Sequence, residues 1–313
     1  MKAMTITEND AGQRLDRLIS KVFPSLPRAL MYKEIRKKNI KVNRKRCEPD
    51  YKVNVGDLVE LYIKDELLEE KKFYYDFMRA PKDIHIIYED KNLMLVDKKP
   101  GQLCHPDGSE YINTLISAVK RYLYEKGEWK PDGDSFSPAL ANRLDRNTGG
   151  IIIAAKNARA LKALNDAIKN RNIEKHYLAA VHGHFEKEND TLTAYLAKDE
   201  SKNKVSISEK EILGGKKIVT KYRVLDRYDR KTLLDIDLIT GRTHQIRAHL
   251  AHIGHPLIND GKYGREAGRF RQALYSYRLI FCTKAYRELA YLDSKEFTVK
   301  NCEVYKKFKE RSY

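Results

Sequence analysis

Two segments of the chain concentrate side chains able to do chemistry. The first, Asn142-Arg-Leu-Asp-Arg-Asn-Thr-Gly-Gly150, sets one carboxylate, Asp145, between Arg143 and Arg146, just ahead of the apolar run Ile151–Ala155. Neighbouring cations favour the ionised form of a carboxylate. A buried strand beside it would hold it rigidly, and such a group can serve as nucleophile or general base. The same composition suits a solvated salt-bridge loop, and the residues alone leave both readings open. The second segment runs Thr240-Gly-Arg-Thr-His-Gln-Ile-Arg-Ala-His-Leu-Ala-His-Ile-Gly-His-Pro256. His249, His252 and His255 recur every three residues, which invites a metal. On a helix that spacing fans the rings around the axis rather than stacking them, and no carboxylate completes a set of the HExxH kind. No metal site is expected. A polar, arginine-containing helix start with Thr243 as its cap better suits a phosphate or carboxylate partner. Neither GxxxxGK[ST] nor GxGxxG occurs, so no nucleotide cradle is visible.

These segments need elements to position them. Gly149–Ala155 is almost continuously apolar, as a buried strand is, and Ala160, Leu161, Leu164, Ala167 and Ile168 mark a helix after it. Ile84–Tyr88 and Leu93–Val96 read as strands across a Glu89–Asn92 turn. Tyr177–Val181 and Thr232–Ile239 are further strands, the latter alternating Leu234, Ile236 and Leu238 with aspartates. Ile246, Leu250 and Ile253 mark a short helix stopped by Gly254 and Pro256. Strands dominate and helices do not alternate with them. The expected fold class is therefore α+β, a mixed, largely antiparallel central sheet flanked by helices and loops.

The N-terminal part differs in charge. Of a net +17 over 313 residues, residues 14–52 carry +9, from thirteen Lys or Arg against four Asp or Glu. Such a balance suits a polyanion, whose counterions are released on contact. Leu15, Leu18, Ile19 and Val22 form one helical stripe. Pro24 and Pro27 break the chain, and Pro27 opens a second helix running to about Lys38, with Asn39 left-handed beyond it. A short strand, Ile40–Val42, and a turn follow, and Val59, Leu61 and Ile63 mark a closing strand. A small α/β domain over 12–63, a linker over 64–83 and a large domain over 84–313 are expected. No apolar run approaches the roughly 20 residues that cross a bilayer. The four cysteines show neither zinc nor disulfide spacing. A membrane protein, a secreted mini-protein and a disordered tail are excluded, and a cytoplasmic location is expected.

The stretch from RLDRLI through the short basic helix to IKVN resembles the S-four-type RNA-binding domain, with Arg44 where that family usually has glycine. The resemblance implies an RNA face built from Arg14, Arg17, Arg28, Lys33, Arg36, Lys37, Lys38, Lys41, Arg44, Lys45 and Arg46. NRLDRNTGGIIIAAKN resembles the HRLDxxTSG motif of the RluA-type pseudouridine synthases. GRTHQIRAHLAHIGHPLINDGKYG resembles their second hallmark, and EKHYLAAVHG and ALYSYRLIF agree. The likeness covers about residues 10–300. It implies an isomerase that flips a uridine out of RNA and reattaches the uracil through carbon 5. By the same likeness Asp145 is the catalytic aspartate, Tyr177 stacks on the base and moves a proton, and Arg247 pairs with the aspartate. Arg143 would enter the space vacated by the base, and Leu279 would form an apolar wall. Asn142, Gly149 and Tyr275-Ser276 depart from the usual His, Ser and His-Ala. Such a reaction needs no redox cofactor, metal or nucleotide. Its partner would be RNA, ribosomal (large subunit) by preference and transfer RNA as the alternative, with no membrane and no obligate protein partner. The rival classes are a non-catalytic RNA-binding or ribosome-assembly protein, which would lack Asp145 or Tyr177, and a metal-dependent nuclease, which would need carboxylates clustered near the histidines.

Overall fold

A computed structural model describes residues 1–23, 26–64, 68, 75–199, 204–264, 271–300 and 302–313. The N-terminal domain runs β1 (Lys2–Thr5), α1 (Leu15–Val22), α2 (Arg28–Arg36), β2 (Ile40–Val42), β3 (Lys45–Arg46) and β4 (Leu58–Leu61). Its antiparallel sheet has the order β1-β4-β2-β3. Leu15, Leu18 and Ile19 of α1 are buried with Met31 and Ile35 of α2, and Val22 packs against them, so the stripe faces the core. Pro27 stands at the N-cap of α2, where its missing N–H costs nothing; Pro24 lies outside the described residues.

The end of α2 differs from expectation. It stops at Arg36, and Lys38, not Asn39, is left-handed (φ 62°). The Lys38 N–H bonds the Ile35 carbonyl and the Asn39 N–H the Glu34 carbonyl. That pattern is a Schellman closure, which puts its left-handed residue one position before asparagine. Asn43 and Arg44 are both left-handed (φ 52° and 63°), making a two-residue turn between β2 and β3. Arg44 therefore takes the glycine-like conformation at a cost of about 1–2 kcal/mol, offset by its N–H bonding Glu60 at 3.0 Å.

The expected linker, as far as it is described, packs against both domains. Leu68 is buried in the N-terminal core. A 3-10 turn, Asp76–Arg79, sets Phe77 against Tyr124 and Trp129 of the large domain. The domains also touch directly. The buried Asp10 carboxylate accepts bonds from the Ser135 N–H (2.8 Å) and hydroxyl (2.7 Å), and Gln13 donates to the same hydroxyl.

The large domain contains β5 (His85–Glu89), β6 (Leu93–Lys98), α3 (Leu115–Glu125), β7 (Ala139–Leu140), β8 (Gly149–Ala155), α4 (Ala158–Lys169) and β9 (Ile173–His182). It continues through β10 (Asn189–Asp199), β11 (Lys204–Ser208), β12 (Lys216–Tyr228), β13 (Lys231–Asp237), α5 (Gln245–His252), β14 (Leu274–Phe281), β15 (Glu296–Thr298) and α6 (Glu303–Lys309). The sheet order is β11-β10-β12-β13-β9-β14-β8-β6-β5, with β15 on β14 and β7 on β8. Among the described residues its pairings are antiparallel except β14 with β8. The fold is thus α+β with a mixed, largely antiparallel sheet.

Both faces of the sheet are covered, and side-chain alternation decides which helix covers what. Met94, Val96, Ile152 and Ala154 meet α3, while Leu93, Leu95, Ile151 and Ile153 meet α4. That double burial is why β8 reads as unbroken apolar sequence. Tyr177, Ala179, Leu234 and Ile236 face α5, and Leu178, Ala180 and Leu233 face α6.

Candidate active site

Asp145 lies in the loop between β7 and β8, and that loop is anchored from below. Lys98, at the end of β6, is fully buried, and its ammonium donates to the carbonyls of Lys99 (3.1 Å), Gln102 (2.8 Å) and Arg146 (3.0 Å). Burial pushes this ammonium down to about 8, partly opposed by Cys104, Asp145 and Asp97. The Gly101 N–H also bonds the Arg146 carbonyl. Beyond Arg146 the chain enters β8, and ahead of Asp145 the Leu144 carbonyl and N–H both bond Cys104 Sγ at 3.4 Å, so the aspartate is fixed on both sides while its side chain stays 25 % exposed.

Arg247 reaches Asp145 from α5. Nη1 donates to Asp145 Oδ2 at 2.9 Å, while Nε and Nη2 grip Asp260 at 2.7 and 2.9 Å. Asp260 is fully buried and also accepts the N–H groups of Lys262 and Tyr263. Burial opposes both charges. The pair overcomes it, raising the guanidinium above its ordinary range and holding the Asp260 carboxyl below the usual one. The Tyr263 ring lies against the guanidinium, 5.3 Å from its centroid. His244 completes the cluster, with Nε2 3.8 Å from Asp145 Oδ2 and Nδ1 2.9 Å from the Tyr263 hydroxyl. The start of α5 is not the one expected. His244 (φ 55°), not Thr243, is the N-cap, and it makes no side-chain cap. Gln245 instead braces the loop ahead of the helix, its oxygen accepting from Thr240 Oγ1 and the Arg242 N–H.

Tyr177 projects from β9 and is buried. Burial, with Asp145 adding to it, raises its phenol above the ordinary range, and Ser276 opposes the shift. Tyr177, Ser276 and Gly150 form one row across β9, β14 and β8. Gly150 (φ 119°) admits no side chain, since a Cβ there would overlap the Ser276 backbone. Its neighbour Gly149 has the ring of Tyr275 over it: a Cβ would come 2.5 Å from Cε2. Two departures from the family pattern, Gly149 and Tyr275, are therefore in contact, and Tyr275 is tied by its hydroxyl to Asp97.

Arg143 is exposed at the mouth of the loop with no ion pair among the described residues. Leu279 is not a wall of this site. It is fully buried in the α4 cluster with Ile153, Leu164 and Phe281, whereas Leu274, earlier on β14, shares the cluster of Tyr177. A register shift between Ser276 and Arg278 separates them. The histidines disperse. His249 bonds Thr220 and is pushed down to about 4 by burial, His252 is exposed, and His255 bonds the His182 carbonyl and stacks on Phe185. Among the described residues no group of His, Cys, Asp and Glu is placed to hold a metal ion.

In the N-terminal domain Arg17, Arg28, Lys33, Arg36, Lys37, Lys38, Arg44 and Lys45 are exposed without ion pairs among the described residues. Arg14 pairs with Asp16 and Arg46 with Glu48, and half-buried Lys41 sits over the Tyr62 ring. Sequence reasoning missed Lys98, His244, Asp260, Tyr263 and Leu274. Asp260, His244 and Tyr263 stand inside the second hallmark, but nothing local signals that they converge on Arg247.

A model of the RNA pseudouridylate synthase family matches residues 92–252, and one of the S4 domain matches residues 13–59. Ribosomal large subunit pseudouridine synthase C of Haemophilus ducreyi is 34 % identical over 271 residues, covering 84 % of this chain and 79 % of that protein. Its namesake in Escherichia coli strain K12 is 30 % identical, covering 84 % and 80 %. Among solved structures, human RNA pseudouridylate synthase domain containing 4 has a TM-score of 0.57 at 18 % identity, over 72 % of this chain and 92 % of that one. At that identity the agreement is one of fold. No helix among the described residues is long and apolar enough to cross a membrane. The family match takes in Asp145, Tyr177 and Arg247 and runs over half the chain, and the relatives extend it over most of the rest: this chain belongs to the RNA pseudouridylate synthase family.

Proposed function

We propose that this pseudouridine synthase isomerises uridines of large-subunit ribosomal RNA in the cytoplasm, with Asp145 as the reacting group. The observation that carries the reading is the geometry at Asp145: a partly exposed carboxylate, clamped by an arginine whose other edge is locked on Asp260, next to Tyr177. The relatives, named as synthases of the ribosomal large subunit, support the target.

The target base must leave its stack, at a cost of a few kcal/mol. Arg143, exposed at the mouth of the loop, fills the gap, and Tyr177 stacks on the extruded base. Asp145 then assists cleavage of the bond from ribose carbon 1 to uracil N1. The uracil turns, carbon 5 bonds the ribose, carbon 5 loses its proton and N1 gains one, so nothing is oxidised or reduced. The Tyr177 phenol, kept protonated by burial, passes a proton on rather than abstracting one alone.

The exposed cations of α2 and the β2–β3 turn supply phosphate contacts. Replacing Arg28, Lys33, Arg36 and Lys37 together by Ala is expected to weaken RNA binding. The salt slope should fall by about 1 for each phosphate left without its cation. A salt titration of binding checks this, and an unchanged slope would mean these residues do not meet RNA. The function itself is tested by mapping pseudouridine in ribosomal and transfer RNA from cells lacking the protein. Sites in large-subunit RNA should disappear and return with the wild-type chain. Loss confined to transfer RNA would overturn the target, and loss nowhere would favour a binding role alone.

A further inference from the structure

Asp145 has two oxygens, and its neighbours do not treat them alike. Arg247 donates to Oδ2, and the nitrogen of His244 nearest the carboxylate, Nε2, also approaches Oδ2, at 3.8 Å. Among the described residues nothing donates to Oδ1. The other neighbour of His244 favours one of its tautomers. The Tyr263 hydroxyl accepts the Val205 N–H at 3.0 Å, which leaves its own proton to be given to His244 Nδ1, 2.9 Å away. With Nδ1 accepting, the proton of the neutral ring is on Nε2, the side facing Asp145. A separation of 3.8 Å is too long for a hydrogen bond in the free protein, but catalytic bonds often tighten only with substrate in place. His244 is also held in a left-handed backbone conformation (φ 55°), uncommon for a residue with a side chain.

We propose that His244 is a positioning residue which, with Arg247, holds Oδ2 of Asp145 and leaves Oδ1 as the oxygen presented to the flipped nucleotide. This rests on the reading of Asp145 as the reacting group. The hallmark arginine alone can anchor the carboxylate but leaves it free to rotate about that bond. A second donor on the same oxygen removes this freedom, and misplacement by about 1 Å can cost roughly 100-fold in rate.

The groups facing the imidazole are Asp145, Asp260, Arg247, Lys262 and Tyr263. Burial leads, and with Arg247 and Lys262 it outweighs the two carboxylates, keeping the ring neutral below the ordinary histidine range. Protonation keeps the Nε2 proton but puts a second one on Nδ1 against the one Tyr263 donates, so the ring loses the tether that aims it at Asp145 and this arrangement exists on the alkaline side of that titration.

The test is the single-turnover rate at saturating RNA, followed from about pH 5 to 8, for the wild type, His244→Leu, His244→Gln and Tyr263→Phe, with Asp145→Asn alongside. His244→Leu should lose roughly 10- to 100-fold. His244→Gln, whose amide can donate to the carboxylate, should recover most of the rate and lose the fall on the acid side. Tyr263→Phe removes the donor that favours neutral His244 and should move that fall to higher pH. A wild-type rate and profile in His244→Leu would overturn the proposal, as would a folded His244→Gln no better than Leu. An unmoved profile in Tyr263→Phe would overturn the tautomer. If Asp145→Asn still turned over, the underlying reading would fail; if it were inactive while His244→Leu was unimpaired, only the role of His244 would fail.

Discussion

Asp145→Asn is expected to bind RNA and leave it unconverted, with turnover reduced at least about 10,000-fold. The amide keeps the size of the carboxylate and can still accept from Arg247, so the loss is chemical rather than structural. Arg247 keeps its two bonds to Asp260, and the substituted side chain is partly exposed, so the fold should hold. Affinity should survive because most protein–nucleic acid bonds go to phosphate and sugar, and the exposed cations of the N-terminal domain are untouched by the change. Single-turnover conversion and a binding titration on the same preparation separate the two. Conversion at the wild-type rate by a pure sample would remove Asp145 from the mechanism.

Arg247→Met should damage both activity and stability. The Asp260 side chain has no exposure, and its two oxygens face the guanidinium. Removing one partner of a buried pair costs about 3–5 kcal/mol, because the remaining charge is stranded. Urea unfolding should show that loss near neutral pH. The sign of its pH dependence follows. With Arg247 present the folded Asp260 carboxyl is held low; without it, burial raises the carboxyl above its unfolded value. The deficit should then shrink on acidification, as Asp260 takes up a proton in the folded state. Adding Asp260→Asn should restore much of the stability and none of the catalysis, since Asp145 would still lack its clamp. If the double variant were as unstable as Arg247→Met, stranded charge would not be the cause.

Legibility in the sequence follows how local each determinant is. The Asp145 loop and β8 can be read because a charged cluster beside an unbroken apolar run is a contiguous signal. The α1 stripe is equally plain. The long hairpin of β10 and its partners escapes a sequence reading, although Leu192, Ala194 and Leu196 alternate, because the polar and charged residues around them mask the pattern. Helix α3 escapes it too, although Leu115, Val119 and Leu123 keep helical spacing. At the site, Arg247 stands in a motif, but its second partner lies thirteen residues on, across a turn, and no periodicity connects them. Leu279 looks as good a wall residue as Leu274 because both are leucines of one apolar stretch, and only the packing separates them, Leu279 with α4 and Leu274 with Tyr177. Lys98 is invisible for another reason: its three partners are all backbone carbonyls, which no side-chain pattern encodes.

The contact between Gly149 and Tyr275 couples the two positions, so that the order in which they are changed matters. A serine at 149 and the tyrosine ring at 275 claim the same space, so neither state of one position is neutral toward the other. Losing the side chain at 149 first leaves a small void, tolerable at roughly 1 kcal/mol. Acquiring the ring first forces overlap between two strands hydrogen-bonded to one another. A side chain at 149 is therefore compatible only with a ring at 275 that gives way, and the Tyr275 ring is held where it is by its hydroxyl on Asp97. Positions 149 and 275 thus behave as one steric unit, in which neither residue can be exchanged without regard to the other.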